Sequence, residues 1–417
     1  MPKINKIKPS YKQSVKYLER SRKVISGAST FSKLNHFGEG KTPFALTDGK
    51  GAYVWDVDGN KYIDYVSCRG YLILGYNYPY VTRAITKQLK DGVAYSLPHT
   101  LEIEVAEMLR ERIPSAEMVR FGKNGNDATS AAIRLARHIT KRDHFLFWGY
   151  HGWQDWYSSQ TSMNGGVPKS LKNLGHRFVY NDIESVERLF NGLKGDVAAV
   201  IMEPTRFERP EKGFLENVKK LAHDNGALLI FDEIITGFRL QKKGAQKLFN
   251  VIPDITCLGK AMGNGMPISA VVGKKEYMKR FPEVFYSLTS AGEALSLAAA
   301  KATMEVFDKI DVCGHLDKIG KELMDELIVL IDKYGLSDRM KVRGYSCYSN
   351  FYFVEDKNSK LSPTGLMDFW TQEIAKRGIL SCECHIMNLS HTKQTNKETL
   401  KVYDEVLPLV KDLIEKS

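Results

Sequence analysis

The sequence predicts an α/β fold: a mostly parallel sheet flanked by helices on both faces, accompanied by a smaller α+β domain. Three observations carry that prediction. Between about residues 90 and 300, apolar runs of strand length alternate with helical patterns, as strand–helix–strand units require. Acids, aromatics or glycines follow the ends of several of those runs, where such a sheet presents ligand-binding groups. After about residue 300 the alternation gives way to long helices and one alternating segment.

The elements follow in order. Tyr11, Val15 and Leu18 are spaced four and three apart, which suits one face of a short amphipathic helix. Residues 1 to about 50 form this helix and an irregular arm ending in Gly38-Glu39-Gly40-Lys41-Thr42-Pro43-Phe44. From Gly51 to Tyr65, two alternating runs flank the turn Asp58-Gly59-Asn60 and read as a hairpin. A helix over 101–112 places Leu101, Val105, Met108 and Leu109 on one face. Met118–Phe121 is a strand, and the helix 127–140 turns Ala128, Ala131, Ala132, Leu135 and Ile139 inward. Further strands are Phe145–Trp148, Val197–Met202, Ala227–Phe231, Ile255–Leu258 and Ala270–Gly273, with a helix carrying Phe214, Val218, Leu221 and Ala222 between the second and third of these. Helices over 291–309 and Leu316–Tyr334, the alternating Tyr345–Val354 segment and a closing helix Lys397–Lys416 complete the chain. The expected division is 1–65 for the arm and hairpin as part of the small domain, 66–300 for the large domain, and 301–417 for the C-terminal small domain.

Bulk properties narrow the function classes. A chain of 417 residues has room for one large and one smaller core. The net charge is +11, but lysines alternate with acids, as in Lys321-Glu322 and Lys397-Glu398. That pattern is a solvated surface with a modest pull on anionic substrates, not a nucleic-acid site. No apolar run reaches membrane-spanning length, and Met1–Lys23 lacks the apolar core of a secretory signal, so a cytoplasmic protein with no membrane partner is expected. Six cysteines lack the spacing of a disulfide scaffold. Cys382-Glu383-Cys384-His385 has no second ligand cluster, and no metal is expected.

The chemistry centres on two residues. Lys260 lies in Leu258-Gly259-Lys260-Ala261-Met262-Gly263-Asn264-Gly265, on a tight turn after a short buried strand. Asp232 ends the apolar run Ala227–Phe231, at the carboxyl end of another strand. Each alone has an ordinary reading, as a solvated surface charge or a helix cap. Together they suit pyridoxal phosphate, which needs an amine for a Schiff base and a carboxylate to keep its ring nitrogen protonated. Phe121-Gly122-Lys123-Asn124-Gly125-Asn126-Asp127-Ala128 leads from strand to helix, where amides and two Asn side chains make a phosphate cradle, or a capped helix start. Trp148-Gly149-Tyr150-His151-Gly152-Trp153 sets an aromatic where it can cover a planar ring. Met202-Glu203-Pro204 adds an acid at the end of one more strand.

With these residues in place, the chain resembles the class III (fold type I) pyridoxal-phosphate-dependent aminotransferases, and within them glutamate-1-semialdehyde aminomutase and its transaminase relatives. The likeness runs from about residue 20 to 410. Its markers include Asp56-Val57-Asp58-Gly59-Asn60, Tyr150-His151-Gly152, Phe231-Asp232-Glu233-Ile234-Ile235-Thr236-Gly237 and the Lys260 turn. The resemblance implies that Lys260 anchors the cofactor and shuttles a proton, and that Asp232 pairs with the ring nitrogen. It implies that Tyr150 stacks on one ring face, that Ile234 packs on the other, and that Asn124, Gly125 and Asn126 hold the phosphate. Thr289 would reach the phosphate of a second subunit, implying a homodimer with shared active sites.

Departures from the family concern the substrate. Lys33 stands near where the aminomutase has a carboxylate-binding Arg, and Cys68-Arg69-Gly70 replaces a Ser-Trp-Gly element. Glu203-Pro204 is followed by Thr205-Arg206-Phe207-Glu208 instead of the usual Gly-Asn-Met-Gly, and Glu383-Cys384-His385 occupies a substrate-facing stretch. Lys33, Arg69, Glu203 and His385 are therefore candidate substrate residues, with a structural reading open for Arg69 and His385. The expected activity is transfer of an amino group from an amino-acid donor such as glutamate to a keto or aldehyde acceptor, in the texture of polysaccharide or amino-sugar enzymes. The alternatives are a glutamate-1-semialdehyde 2,1-aminomutase and, on the same fold, a non-catalytic binding module.

Overall fold

A computed structural model describes residues 9–33, 40–356 and 359–416; the Gly38-Glu39 end of the arm lies outside them. The chain divides into two compact units. One is formed by Met1–Gly70, Leu74–Tyr78 and Gly314–Ser417, the other by Tyr71–Ile73 and Pro79–Cys313.

In the first unit, β1 (Leu46–Lys50), β2 (Tyr53–Asp56) and β3 (Lys61–Asp64) form an antiparallel meander. The β2–β3 turn is organised by Asp56, whose carboxylate accepts the N–H groups of Asp58 at 3.0 Å and Asn60 at 2.8 Å and the Tyr62 hydroxyl at 2.7 Å. Gly59 supplies the positive φ of +85°. Asp58 in turn accepts the N–H groups of Gln13 and Ser14, both at 2.8 Å, and so caps the helix Lys12–Val24.

The second unit holds the large sheet: β4 (Met118–Gly122), β5 (His144–Trp148), β6 (Gly175–Arg177), β7 (Val197–Met202), β8 (Leu228–Asp232), β9 (Ile255–Leu258) and β10 (Ser269–Gly273). The order is β4-β10-β9-β8-β7-β5-β6, parallel from β6 to β9, with β10 antiparallel to both neighbours. Strands buried on both faces read as continuous apolar runs, and every residue of β7, β8 and β9 is buried. Alternate residues feed different cores. Ala199, Ile201 and Ile230 pack with the small-residue face of the helix Gly125–Thr140, whereas Val200, Met202, Leu229 and Phe231 pack with Phe214, Val218 and Ala222.

The remaining strands belong to the first unit. They are β11 (Met340–Tyr345), β12 (Tyr348–Phe353), β13 (Ile379–Leu380) and β14 (Cys384–Ile386). β13 joins the meander in parallel beside β3, and the others form a sheet of order β11-β12-β14.

Several local expectations change. The alternating segment 345–354 is the second half of a β11–β12 hairpin, with its turn at the Tyr345↔Tyr348 pair. The last helix begins at Lys393, not at 397, because Thr392 and Thr395 cap each other's N–H groups. The helix expected from 291 begins at Ala294, after the N-cap Glu293. Met108, Ile139 and Leu221 are half-buried, while Leu215 and Arg112 take fully buried places. Among the described residues, no helix is long and apolar enough to cross a membrane.

Candidate active site

The strand directions explain why distant residues meet. β5, β7, β8 and β9 run parallel, and β4 shares their direction because β10 opposes both it and β9. The segments after all five strands therefore emerge at one sheet edge: Asn124–Asn126, Tyr150–His151, Glu203, Asp232 and Lys260.

Asp232 is buried at the end of β8. Its Oδ2 lies 2.8 Å from His151 Nδ1, and its Oδ1 accepts the Ile234 N–H at 3.2 Å. The other ring nitrogen of His151 faces the Trp148 carbonyl at 3.2 Å, so the imidazole is held between two oxygens, one at each nitrogen. Thr129 Oγ1 donates to the His151 carbonyl at 2.7 Å and fixes that loop. Sequence reasoning quoted His151 only as part of a motif and missed its contact with Asp232, for which its one signal was adjacency to Tyr150.

Lys260 opens a 3-10 turn, Lys260–Gly263, directly after β9 and Gly259. Its φ of +42° is a left-handed conformation that costs a lysine on the order of 1 kcal/mol, a strain typical of functional positions. Burial lowers its ammonium pKa to about 8; the carboxylates of Glu203 and Asp232 oppose that shift, and the cations Arg239 and Arg206 add to it. The result is an amine with a sizeable neutral fraction near physiological pH.

Glu203 is fully enclosed, and burial raises its pKa against the opposing charge of Arg206. Its Oε1 accepts the Tyr150 N–H at 2.8 Å. That approach needs Gly149, which has a φ of +107° and whose Cβ would stand 2.8 Å from Glu203 Cγ. The Tyr150 ring is 60 % exposed and meets Tyr157 edge-on at 5.7 Å. A ring with an anchored backbone and a free face can stack on a planar ligand.

The cradle sits at the start of the helix Gly125–Thr140. Asp127 accepts the N–H groups of Asn124 at 2.7 Å and Lys123 at 3.1 Å, holding the loop in shape. A Cβ on Gly125 would stand 2.7 Å from Ile234 Cδ1, and one on Gly152 2.4 Å from Asn126 Cβ. The cradle is thus in contact with both Ile234 and the loop that carries Tyr150. An amine, a buried carboxylate held by a histidine, a helix N-terminus and an aromatic with a free face are the donor set pyridoxal phosphate requires.

Thr289 is exposed in a turn, and Lys33, Arg69 and His385 belong to the first unit. Ser67, Cys68 and Arg69 carry φ values of 44°, 50° and 58°, a short left-handed turn. From it Arg69 donates to the Ser32 carbonyl at 3.0 Å and to Cys382 Sγ at 3.4 Å. Arg69 thereby ties together the segment carrying exposed Lys33 and the 382–385 stretch. His385 is 1 % exposed, with its ring nitrogens at the Tyr403 and Ser349 hydroxyls. Burial, helped by His391, drives its pKa down to about 3, so it is a neutral group of the core.

Comparison with known proteins bears on this geometry. The sequence model of the class-III aminotransferases matches residues 36–402. A glutamate-1-semialdehyde 2,1-aminomutase from Syntrophomonas wolfei is 36% identical over 424 aligned residues, covering 95% of this chain and 97% of that one. The FumI protein of Sphingopyxis sp. MTA144, solved as its PLP internal aldimine form, superposes with a TM-score of 0.89 at 27% identity, covering 96% of both chains. An omega-transaminase from Sphaerobacter thermophilus superposes with a TM-score of 0.85 at 26% identity, covering 96% of this chain and 99% of that one.

Proposed function

The chain belongs to the class-III aminotransferase family, and from that premise we propose that it uses pyridoxal phosphate to move an amino group from an amino-acid donor, glutamate foremost, to a keto or aldehyde acceptor. The observation that carries this reading is the convergence of Lys260, with its lowered pKa, and the Asp232–His151 pair at one sheet edge. When bound, the cofactor supplies a protonated pyridine ring that accepts electrons from the bond being broken. Lys260 Nζ would anchor it and then take and return the proton at the donor's α-carbon. Asp232, oriented by His151, would hold a proton on the ring nitrogen. Asn124, Gly125 and Asn126 would bind the phosphate, and Tyr150 and Ile234 would cover the two ring faces. Glu203 would position Tyr150 through its backbone N–H.

We further propose a homodimer in which Thr289 reaches the partner's phosphate. Leu97, Trp153 and Phe285 of the second unit are 79 %, 72 % and 83 % exposed, and large apolar side chains at such exposure suit a protein interface. A cytoplasmic location is part of the same proposal, supported by six cysteines without the spacing of a disulfide scaffold.

The test is spectroscopic. Protein purified with pyridoxal phosphate should be yellow and should bleach when given a competent donor; a protein that stays colourless would end this reading. Polysaccharide and amino-sugar precursors are the acceptors to screen first. The 36% identity to an aminomutase favours one second reading, transfer within a single substrate. Isomerisation of glutamate-1-semialdehyde without any added donor would establish it, and net transfer between two molecules would exclude it as the main activity.

Arg69 is proposed as the substrate's anion partner, since a guanidinium pairs with carboxylate or phosphate through two donors. Arg69→Ala should leave cofactor loading unchanged and lower kcat/KM for the anionic substrate by tens to several hundred-fold, about 2–4 kcal/mol. Arg69→Lys should recover part of it. Parent-level kcat/KM with every donor and acceptor would shift the role to Lys33.

A further inference from the structure

Lys123 immediately precedes the cradle residue Asn124, yet its ammonium points away from solvent, toward another acid. Its Nζ lies 2.8 Å from Glu293 Oε2, with the two side chains 13 % and 16 % exposed. Glu293 is more than a partner for lysine. Its carboxylate accepts the N–H groups of Leu295 at 2.7 Å and Ser296 at 3.2 Å and the Ser296 hydroxyl at 2.6 Å, capping the helix Ala294–Lys309. Burial alone would raise its pKa, but Lys123 and Ser296 bring it below the ordinary carboxylate value, so the acid remains charged beside the cradle.

The same glutamate closes a turned segment. The Ala291 N–H donates to the Leu288 carbonyl at 3.1 Å and the Glu293 N–H to the Ser290 carbonyl at 3.2 Å, with exposed Thr289 between them. Lys123 and Glu293 are 170 residues apart, so their pairing fastens the loop after β4 to the segment that bears Thr289.

We infer that Lys123 is a positioning residue whose task is to neutralise Glu293, so that a capping acid can stand next to a phosphate-binding loop without repelling the phosphate. The inference rests on the pyridoxal-phosphate reading above. A half-buried carboxylate such as Glu293, stripped of its partner, keeps its charge at a cost or projects it onto its neighbours. Next to a dianion, that field opposes binding. Lys123 therefore acts through Glu293 and is not itself a phosphate ligand.

The test compares cofactor binding in three variants, read by absorbance titration of stripped enzyme and by the rate of cofactor release from loaded enzyme. Lys123→Met should weaken pyridoxal phosphate binding by about tenfold or more. Binding of pyridoxal, which lacks the phosphate, should change by less than about twofold, since the repulsion acts on the phosphate charge. Glu293→Gln keeps an oxygen for the cap and should not weaken binding. The double variant Lys123→Met with Glu293→Gln should regain most of the lost affinity. Equal losses for pyridoxal and its phosphate would make the pair merely structural. Failure of the double variant to recover would make Lys123 a direct phosphate ligand. Unchanged binding in Lys123→Met would also overturn the inference. A parent protein that binds pyridoxal phosphate separates all three from failure of the functional reading, under which the parent itself would not bind. If Lys123→Met does not fold, Lys123→Gln poses the same comparison.

Discussion

Lys260→Ala leaves a folded protein that takes up pyridoxal phosphate without a covalent bond and turns over at least about 10⁴-fold more slowly than the parent. The variant removes the proposed anchoring amine and acid–base group in one step, and the cofactor's own chemistry cannot replace proton transfer at the substrate carbon. Folding should survive because the residue's backbone, at a φ of +42°, gains nothing from the lysine side chain. A pH measurement on the parent accompanies this. With the amine's pKa lowered to about 8, covalent reloading of stripped enzyme should accelerate as pH rises through that value and level off above it. A Lys260→Ala protein with sustained multiple turnover would remove Lys260 from the mechanism.

Asp232→Asn is the second large effect. Asparagine keeps the shape and still offers an oxygen to His151, whose Nδ1 lies 2.8 Å from the carboxylate in the parent. What it loses is the charge that makes a protonated ring nitrogen favourable in a buried site. The variant should bind cofactor with modest change while kcat falls by roughly 10²–10⁴-fold. Single-turnover kinetics with a saturating donor locate the loss in the proton-transfer step. If that step runs within about tenfold of the parent, ring protonation does not depend on Asp232.

The sheet was legible where physics leaves one reading. Strands buried on both faces must be apolar throughout, and β7 and β9 were found at the bounds the structure gives them. β6, with the sequence Gly175-His176-Arg177, was not foreseen, because a three-residue edge strand needs no apolar run and is defined only by pairing with β5. β1 was missed for a similar reason, since four of its five residues are exposed. In the site, Lys260 and Asp232 were singled out because one cofactor demands both residue types, and they do follow the neighbouring strands β9 and β8. The His151–Asp232 bond and the Glu203–Tyr150 contact were not, since each joins two strands whose spacing no local pattern encodes. The Lys123–Glu293 pair, between residues 170 apart, lay wholly outside the reach of periodicity.

The pairing of β3 with β13 and of β4 with β10 has a consequence for how the chain is made. Gly122 sits opposite Ser269, and Ile63 beside Ile379. At translation rates of roughly 5–20 residues per second, the strand leading into the cradle waits on the order of ten seconds or more for its partner to leave the ribosome. The first meander waits longer still for β13. An emerging chain therefore exposes apolar strand edges throughout most of its synthesis, and the cradle cannot be complete before β10 is. Cofactor capture therefore waits until β10, which ends at Gly273 of the 417 residues, has joined the sheet.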